Sequence, residues 1–514
     1  MKYLIILENH YFSQLNQDLS HMSLFRKKSL ASLLSQAADS EQGLKRTLGA
    51  WNLIALGIGA IIGAGLFVRT AAAAGGHAGP AVTLSFVIAA IGCAFAGLCY
   101  AEFASMIPIA GSAYTYAYTT MGELIAWIIG WALILEYALG AATVSIAWSE
   151  FLNKLFDNRI PYEWTHSPFE SALDANNVMH HGIINAPSLF ILLILSLLLI
   201  RGTQESAIVN SIIVIIKVTI VLLFIALGWQ FINPANHHPY LIPADAHSAT
   251  LPNGKEYSYG DFFRHGWGGV LRGAAIVFFA FIGFDAVSTA AQEAKNPKRD
   301  MPIGILGSLV VCTLLYVLFS WVLTGVAPYT DFVRAGKEAS VAYAIDTYMA
   351  GYGWLAKLVT VGILAGFSSV ILVMLLGQSR VFFSMANDGL LPKVFSDLHL
   401  KFRTPYKSNI LLFIFVGTFA TLIPGDITGD LTSIGTLLAF VLVSLGVWVM
   451  RRSDPVTPRP FRTPLVPLVP LLGAIVCTAM IVSLDKMTLF VAFLWMILGL
   501  IIYFSYSKSH SKLG

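Results

Sequence analysis

The fold of this chain is decided by a glycine-rich stretch, GIGAIIGAGLF at residues 57–67. It lies inside an apolar run from residue 48 to residue 74, which is long enough to cross a bilayer because one span takes about 20 residues. Four of its first nine residues are glycine, a poor helix former. Since a helix that faces lipid cannot break its backbone hydrogen bonds, a break here predicts a helix that lines a cavity inside the protein.

A second interrupted run, FFAFIGFD at residues 278–285, places a glycine and an acidic residue in the middle of another apolar span. Two broken spans at matching places in the two halves of a chain are typical of the binding site of a secondary transporter. The two runs together therefore predict that the protein moves a small molecule across a membrane.

The composition is that of a polytopic membrane protein. Of 514 residues, 56% are hydrophobic and 12% are charged, and the mean hydropathy is +0.72. Soluble domains average about 25% charged residues. The net charge of +4 is too small to indicate a nucleic acid partner. The four cysteines lie in apolar spans without metal-ligand spacing, so we interpret them as core residues. No cofactor and no metal site is predicted.

About twelve transmembrane helices are expected. Their predicted positions are 49–74, 80–107, 124–152, 186–203, 206–228, 268–293, 302–327, 354–385, 408–424, 429–450, 465–484 and 487–506. With the N-terminus in the cytoplasm, 21 of the 32 Lys and Arg residues fall in cytoplasmic segments, nine fall outside and two fall within spans. This positive-inside bias predicts a protein of the cytoplasmic (inner) membrane with both termini in the cytoplasm.

The expected fold is an all-α bundle built from two inverted repeats of five helices, with helices 1 and 6 broken. The predicted parts are a cytoplasmic segment 1–46, a first repeat 47–228, a second repeat 229–450 with an outer loop 229–267, two accessory helices within 451–506, and a cytoplasmic tail 507–514. Met22 is a second plausible start, so residues 1–21 are predicted to be dispensable.

A broken membrane helix exposes backbone N–H groups at one half-helix end, which attract anions, and carbonyl groups at the other, which attract cations. Two facing breaks can therefore hold the carboxylate and the ammonium of an α-amino acid. We expect Gly63, Ala64 and Gly65 to bind the carboxylate, and the carbonyls of Phe279, Ala280 and Ile282 to receive the amine, with Ile62 and Phe281 completing the site. Alternatively, the glycines only permit close packing of helices.

Lys217 is the most informative single residue in the sequence, because it is a lysine in the middle of an apolar span. It is the midpoint of an apolar stretch at residues 207–227, about 15 Å from either edge of the hydrocarbon core, which is farther than a lysine side chain reaches. A charge at that depth costs about 2.5–3.5 kcal/mol on insertion scales. The side chain should therefore face the protein interior and either find a partner or lose its proton.

Further polar groups lie near the predicted midplane. Glu136 is in span three and Asp285 closes the second broken run, so with Lys217 they form either a proton relay or a satisfied ion pair. Ser368 and Ser369 in span eight offer hydroxyl groups that can coordinate a cation, which leaves sodium coupling open.

Basic residues near the outer surface are predicted to be structural or solvated. Arg272 precedes the second break by eleven residues, about 16 Å along a helix, and is expected to extend its charge to the membrane interface. The histidine pairs at 180–181 and 237–238 lie on outer loops and are expected to be solvated.

These stretches resemble the amino acid–polyamine–organocation superfamily, in particular the bacterial branch of its cationic amino acid transporter family. The matching segments are LKRTLG at 44–49, GIGAIIGAG at 57–65, GSAYTYAY at 111–118, FFAFIGFDAVST at 278–289, QEAKNPKRDMP at 292–302 and RVFFSMANDGLLP at 380–392. The resemblance runs from about Met22 to the end of span twelve.

The resemblance implies the five-plus-five inverted-repeat fold and amino acid transport. It also implies that Lys217 takes the place of a sodium ion between spans one, five and eight, and that Glu136 and Asp285 match the acidic residues of proton-coupled members. Ala64 departs from the pattern, because related sequences often carry threonine there. Without that hydroxyl group, only backbone amides are left to bind the substrate at this position.

The expected function is proton-coupled uptake of α-amino acids by alternating access. An exchanger or a sodium-coupled transporter of the same fold is the nearest alternative, and a membrane amino acid sensor is an alternative of another class. A membrane-embedded enzyme is disfavoured because no span end carries a convincing catalytic cluster of histidine with an acid.

Overall fold

The computed structural model describes residue 24, residues 26–29 and residues 48–513, apart from gaps at 64, 108–111, 174–177, 202–205, 252–255, 292–293, 336–339 and 403. The segment 1–21 and Ala64, both of which carry predictions, lie outside the described residues.

The first broken helix begins with α1 (Ala50–Ile61). Ile62 then takes an extended conformation with ψ 104°, and the last helical amide bond runs from Ile62 N to Ile58 O. The chain becomes helical again in a π-helical turn at Gly65–Arg69, followed by α2 (Thr70–Ala73) and a second π-helical turn at Ala74–Ala78. The interruption therefore falls within the glycine-rich stretch, as predicted.

The second broken helix begins with α9 (Gly266–Val277), continues in a 3₁₀ turn at Phe278–Phe281 and ends with α10 (Ala286–Thr289). Gly283 lies between the two halves at φ +108°, in the region of backbone conformation that favours glycine. The helix was expected to reach residue 293, and α10 ends four residues earlier.

Long apolar helices make up most of the remaining chain. Between the two breaks they are α3 (Val82–Met106), α5 (Glu123–Ile134) joined through a π-helical turn (Leu135–Leu139) to α6 (Gly140–Leu155), α7 (Ala186–Arg201) and α8 (Ser206–Gly228). After the second break they are α11 (Pro297–Val326), α14 (Gly353–Asn387), α15 (Tyr406–Leu422), α16 (Gly425–Ser453), α17 (Leu468–Val482) and α18 (Lys486–Ile502).

Short elements that the sequence did not predict connect these helices. They are α4 (Ser112–Thr120), α12 (Tyr329–Ala335), α13 (Val341–Tyr348) and, after a π-helical turn at Tyr503–Ser507, α19 (Lys508–His510). Two antiparallel hairpins pair β1 (Ser171–Leu173) with β2 (Met179–His181), and β3 (Ala249–Thr250) with β4 (Glu256–Tyr257).

Within the described residues, eight helical segments are long and apolar enough to cross a membrane, and four shorter apolar helices accompany them. The protein is therefore a mostly helical, polytopic membrane protein. The exact number of crossings and the inverted repeat stay predictions. We call the side that carries residues 26–29 and 508–513 the terminal face, and the side that carries the two hairpins the far face.

Burial shows which helices occupy the centre. In the most apolar window of the second broken helix 89% of residues are buried, and the corresponding share for residues 123–155 is 83%. The segment from Lys486 to His510 is only 22% buried, so it lies at the edge of the bundle. α11 packs against α1 and α3, α14 packs against α6, and α17 packs against α16. The polar groups of the two breaks therefore lie in the protein interior.

Candidate transport site

The two breaks fit directly into each other. A Cβ atom added at Gly65 would overlap the backbone of Ala280 and lie 2.6 Å from its Cβ atom. A Cβ atom added at Gly283 would lie 3.0 Å from the Cβ and O atoms of Ala60. These two glycines therefore do permit close packing, as the alternative interpretation proposed. The same packing brings the two predicted halves of the substrate site together.

Lys217 joins the end of the first half-helix. Its Nζ atom donates hydrogen bonds to the carbonyl oxygens of Gly59 (2.7 Å) and Ile62 (2.8 Å), and the residue is 1% exposed. Carbonyl groups at the end of a helix have no intrahelical donor, so the amine supplies what the break removes. On α14, Gly366 makes room for the lysine, since a Cβ there would lie 2.8 Å from Lys217 Cε.

A tyrosine that sequence reasoning missed connects the two breaks. The Tyr316 hydroxyl on α11 lies 3.1 Å from the carbonyl oxygen of Ile61 and 2.9 Å from that of Ala280, so its proton is shared between the broken helices. The ring packs against Phe281, with centroids 5.2 Å apart. The signal in the sequence was a tyrosine inside an apolar span, because a buried tyrosine hydroxyl usually finds a partner.

The predicted ammonium site already has protein donors. Ala280 O accepts from Tyr316, and Phe279 O accepts from the amide of Ile282 at 3.4 Å. A substrate amine at Ala280 O therefore has to share that carbonyl with the Tyr316 hydroxyl.

The two buried acids lie next to each other rather than next to the lysine. Glu136, in the π-helical turn between α5 and α6, is close enough to Asp285 for their carboxyl groups to interact. Both residues are fully buried, and the Tyr137 hydroxyl donates to Asp285 Oδ2. Lys217 donates instead to backbone carbonyls. The sequence predicted either a proton relay or an ion pair among Lys217, Glu136 and Asp285. In the structure Lys217 makes no ion pair with these two acids.

Several buried polar atoms around the acid pair have no hydrogen-bond partner among the described residues. They include both carboxylate oxygens of Glu136, Asp285 Oδ1 and the Tyr100 hydroxyl. Tyr100 lies within electrostatic range of both acids. A buried polar group left without a partner costs about 1–3 kcal/mol, so this region favours water molecules or a polar ligand.

The two serines of span eight donate hydrogen bonds to their own helix. Ser368 Oγ donates to Leu364 O (2.9 Å) and Ser369 Oγ donates to Gly366 O (3.1 Å). Ser369 is buried one turn from the glycine that contacts Lys217. Their predicted role at a cation site stays a prediction.

Arg272 is buried and paired inside the protein, so the prediction that it extends its charge outward is wrong. It is 9% exposed, and its Nη2 atom donates to Asp430 Oδ2 on α16 at 3.2 Å. Arg69 lies 3.9 Å from the other oxygen of Asp430, and its guanidinium lies 5.6 Å from the ring centroid of Phe279. The partly buried carboxylate of Asp430 supplies the partner that the membrane surface was expected to supply. The far-face halves of both broken helices are thereby tied to α16.

The histidines on the far face are only partly solvated. His180 is half-buried, and its Nδ1 atom lies 2.8 Å from Glu163 Oε1. His181 and His238 are exposed, as predicted. His237 is 6% exposed and its Nε2 atom bonds the Trp321 carbonyl at 3.1 Å, so the prediction of a solvated residue is wrong there. Burial lowers the pKa of His237. All four cysteines are buried.

Two interlocked helix breaks and a buried lysine at one of them, in a helical membrane protein, are typical of membrane transporters. The chain matches the model of the amino acid permease family over residues 48–509, and it belongs to that family. The predicted membership of the amino acid–polyamine–organocation superfamily is therefore confirmed.

Named relatives cover almost the whole chain. It is 43% identical over 495 residues to the branched-chain amino acid permease BcaP of Bacillus subtilis, which spans 96% of this chain and 99% of the relative. It is 39% identical over 495 residues to the methylthioribose transporter of the same organism, with the same coverage. It is 34% identical over 437 residues to the vacuolar cationic amino acid transporter 4 of Arabidopsis thaliana, covering 84% of this chain and 68% of the relative.

Proposed function

We propose that this protein is a secondary active permease that takes up α-amino acids together with protons across the cytoplasmic membrane. Both termini lie in the cytoplasm, and twelve spans form two inverted repeats that alternate access to a site between the two breaks. The observation that carries the proposal is the bond of Lys217 Nζ to the carbonyls of Gly59 and Ile62. A protonated amine there replaces a metal cation at the end of a half-helix.

The lysine couples protons to the first broken helix. When it carries a proton, its ammonium binds both carbonyls and holds α1 against α8. When it loses the proton, these charge-assisted bonds weaken and the half-helix is released. The Glu136–Asp285 pair is the second protonation site, because two adjoining buried carboxylates repel each other and share a proton readily.

The substrate is recognised by its α-carboxylate and α-amino groups. The carboxylate binds the backbone amides at Gly63, Ala64 and Gly65, and the amine binds carbonyls of the second break at residues 279–282. Blocking either group, as an N-acetyl or a methyl-ester derivative, is expected to abolish competition for uptake. Full competition by both derivatives would refute this site.

Branched-chain amino acids are the preferred substrate class of this proposal. Two relatives that match over nearly the whole chain are named branched-chain amino acid permeases, at 43% and 32% identity. The second candidate substrate is methylthioribose, because the methylthioribose transporter is 39% identical to this chain over 495 residues.

The test is uptake by purified protein in liposomes with defined gradients. Accumulation of labelled leucine, isoleucine or valine under an imposed inward proton gradient, unchanged without sodium, is the expected result. Unlabelled arginine and methylthioribose serve as competitors that separate the substrate classes. Dependence on sodium would favour a metal site at Ser368 and Ser369, and stabilisation by an amino acid without any concentrative uptake would favour a sensor.

A further inference from the structure

Residues 26–29 are docked on the terminal face by backbone hydrogen bonds. Lys28 N donates to Tyr118 O (3.1 Å) at the end of α4, and Glu123 N at the start of α5 donates to Arg26 O (3.0 Å). Residues 26–29 therefore follow the turn between α4 and α5.

The C-terminal segment reaches the same place from the edge of the bundle. Lys512 N donates to Asp388 O (3.0 Å) in the turn after α14. A Cβ atom added at Gly389 would overlap the carbonyl oxygen of His510, so the tail packs tightly on this turn. The Arg26 Nη1 atom donates to Leu513 O (2.9 Å), which joins the two ends of the chain to each other.

Two acidic side chains hold both segments. The carboxylate of Asp388 pairs with Lys28 Nζ at 2.7 Å and accepts from the Tyr114 hydroxyl at 2.8 Å, and the side chains of the ion pair are 17% and 12% exposed. The carboxylate of Glu123, which is 2% exposed, accepts from Ser511 and, at 3.0 Å, from Tyr503. Each acid thus connects a chain end to a helix of the bundle.

These contacts enclose the terminal half of the second broken helix. α10 lies between α4 and α14, where the Ser288 hydroxyl is 3.2 Å from the Ser112 hydroxyl and Arg380 Nη1 donates to Thr289 Oγ1 at 3.3 Å. Tyr114 on α4 and Lys28 both bind Asp388 at the end of α14. The Asp388 contacts therefore connect the two helices on either side of α10.

We propose that the two ends of the chain form a latch on the terminal face, with Lys28 and the segment 507–513 fastened to Asp388 and Glu123. The latch keeps α10 enclosed, and its release permits the terminal face to open. This inference goes beyond the proposed transport function, because it concerns what controls access to one face whatever ion or substrate is carried.

The test is the chemical accessibility of a cysteine on α10. Ser288→Cys is nearly isosteric and buried, and the four native cysteines are buried as well. Purified protein in nanodiscs is treated with a maleimide, and the reaction rate of the unmodified chain is subtracted. Lys28→Met is expected to raise the rate about fivefold to thirtyfold, the range that corresponds to losing one or two kcal/mol of closure.

A matched control is available on the same face. Lys407 Nζ lies 2.6 Å from Asp397 Oδ2, and neither residue belongs to the latch. Lys407→Met should therefore leave the maleimide rate unchanged. Lys28→Asp combined with Asp388→Lys restores the pair with reversed charges and should bring the rate back down, and a chain that ends at Tyr506 should raise it.

The result that would overturn the latch is an equal maleimide rate in the parent, Lys28→Met and the shortened chain. If Lys28→Met fails to fold, the shortened chain decides by the same criterion. Because labelling needs neither substrate nor an ion gradient, a failure of the latch is distinguishable from a failure of the proposed transport.

Discussion

The hydrogen bonds of Tyr316 to both broken helices give a prediction whose size follows from the structure. Tyr316→Phe removes only the hydroxyl, because the ring stays between Phe86 (5.4 Å between centroids) and Phe281 (5.2 Å). The carbonyls of Ile61 and Ala280 then lose a shared donor in a buried place. Leaving buried acceptors unsatisfied costs about 1–3 kcal/mol.

That cost is expected to appear in substrate binding. Without the shared hydroxyl, the two breaks are no longer held in the arrangement that the substrate needs, and binding has to order them. A loss of about 1–3 kcal/mol corresponds to a dissociation constant raised about 5-fold to 150-fold. Substrate-induced thermal shifts of the purified variant, measured against amino acid concentration, give this constant directly.

A second buried tyrosine provides the control. The Tyr259 hydroxyl donates to Gly75 O at 2.8 Å, far from the breaks, and the residue is also fully buried. Tyr259→Phe should lower the unfolding temperature without changing the substrate dissociation constant. If Tyr316→Phe binds substrate as tightly as Tyr259→Phe does, the hydroxyl does not hold the site together and the reasoning is refuted.

Three further predictions concern other parts of the chain. Gly65→Ala should abolish transport because its Cβ would overlap the backbone of Ala280, whereas Gly353→Ala, with nothing within 4 Å of the new Cβ, should transport normally; equal uptake by both would contradict the interlocked breaks. A chain starting at Met22 should match full-length uptake, and a loss of more than a few-fold would show that residues 1–21 matter. Asp430→Asn should lower the midpoint of thermal unfolding, because it leaves Arg69 and Arg272 facing a neutral group. Asp397→Asn, which removes the exposed partner of Lys407, should leave that midpoint unchanged.

The sequence predicts the breaks because glycine spacing and apolar length are local properties. Four glycines between residues 57 and 65 weaken a helix wherever it lies, and the interruption that the structure describes at residues 62 and 63 falls among them. The depth of Lys217 is also local, since it is fixed by the length of apolar chain on either side. Its buried position was therefore predicted correctly.

The partners of these residues depend on how helices rotate and pack, which periodicity in a strongly apolar span does not encode. The carbonyls bound by Lys217 lie more than 150 positions earlier in the chain. Arg272 was misplaced because its depth was predicted for a lipid-facing helix, whereas Asp430, 158 positions away, neutralises it in the interior. Tyr316 was missed because a tyrosine in an apolar span gives no sign of which carbonyls it meets.

In the proposed function, Lys217 couples proton movement to transport. The most direct measurement is concentrative uptake by Lys217→Met in proteoliposomes under an inward proton gradient, beside the unmodified protein. Methionine keeps the length of the side chain and removes the amine that binds Gly59 and Ile62. We expect the variant to fold and to bind substrate but no longer to accumulate it. Accumulation by Lys217→Met to the level of the unmodified protein would show that Lys217 does not couple protons to transport.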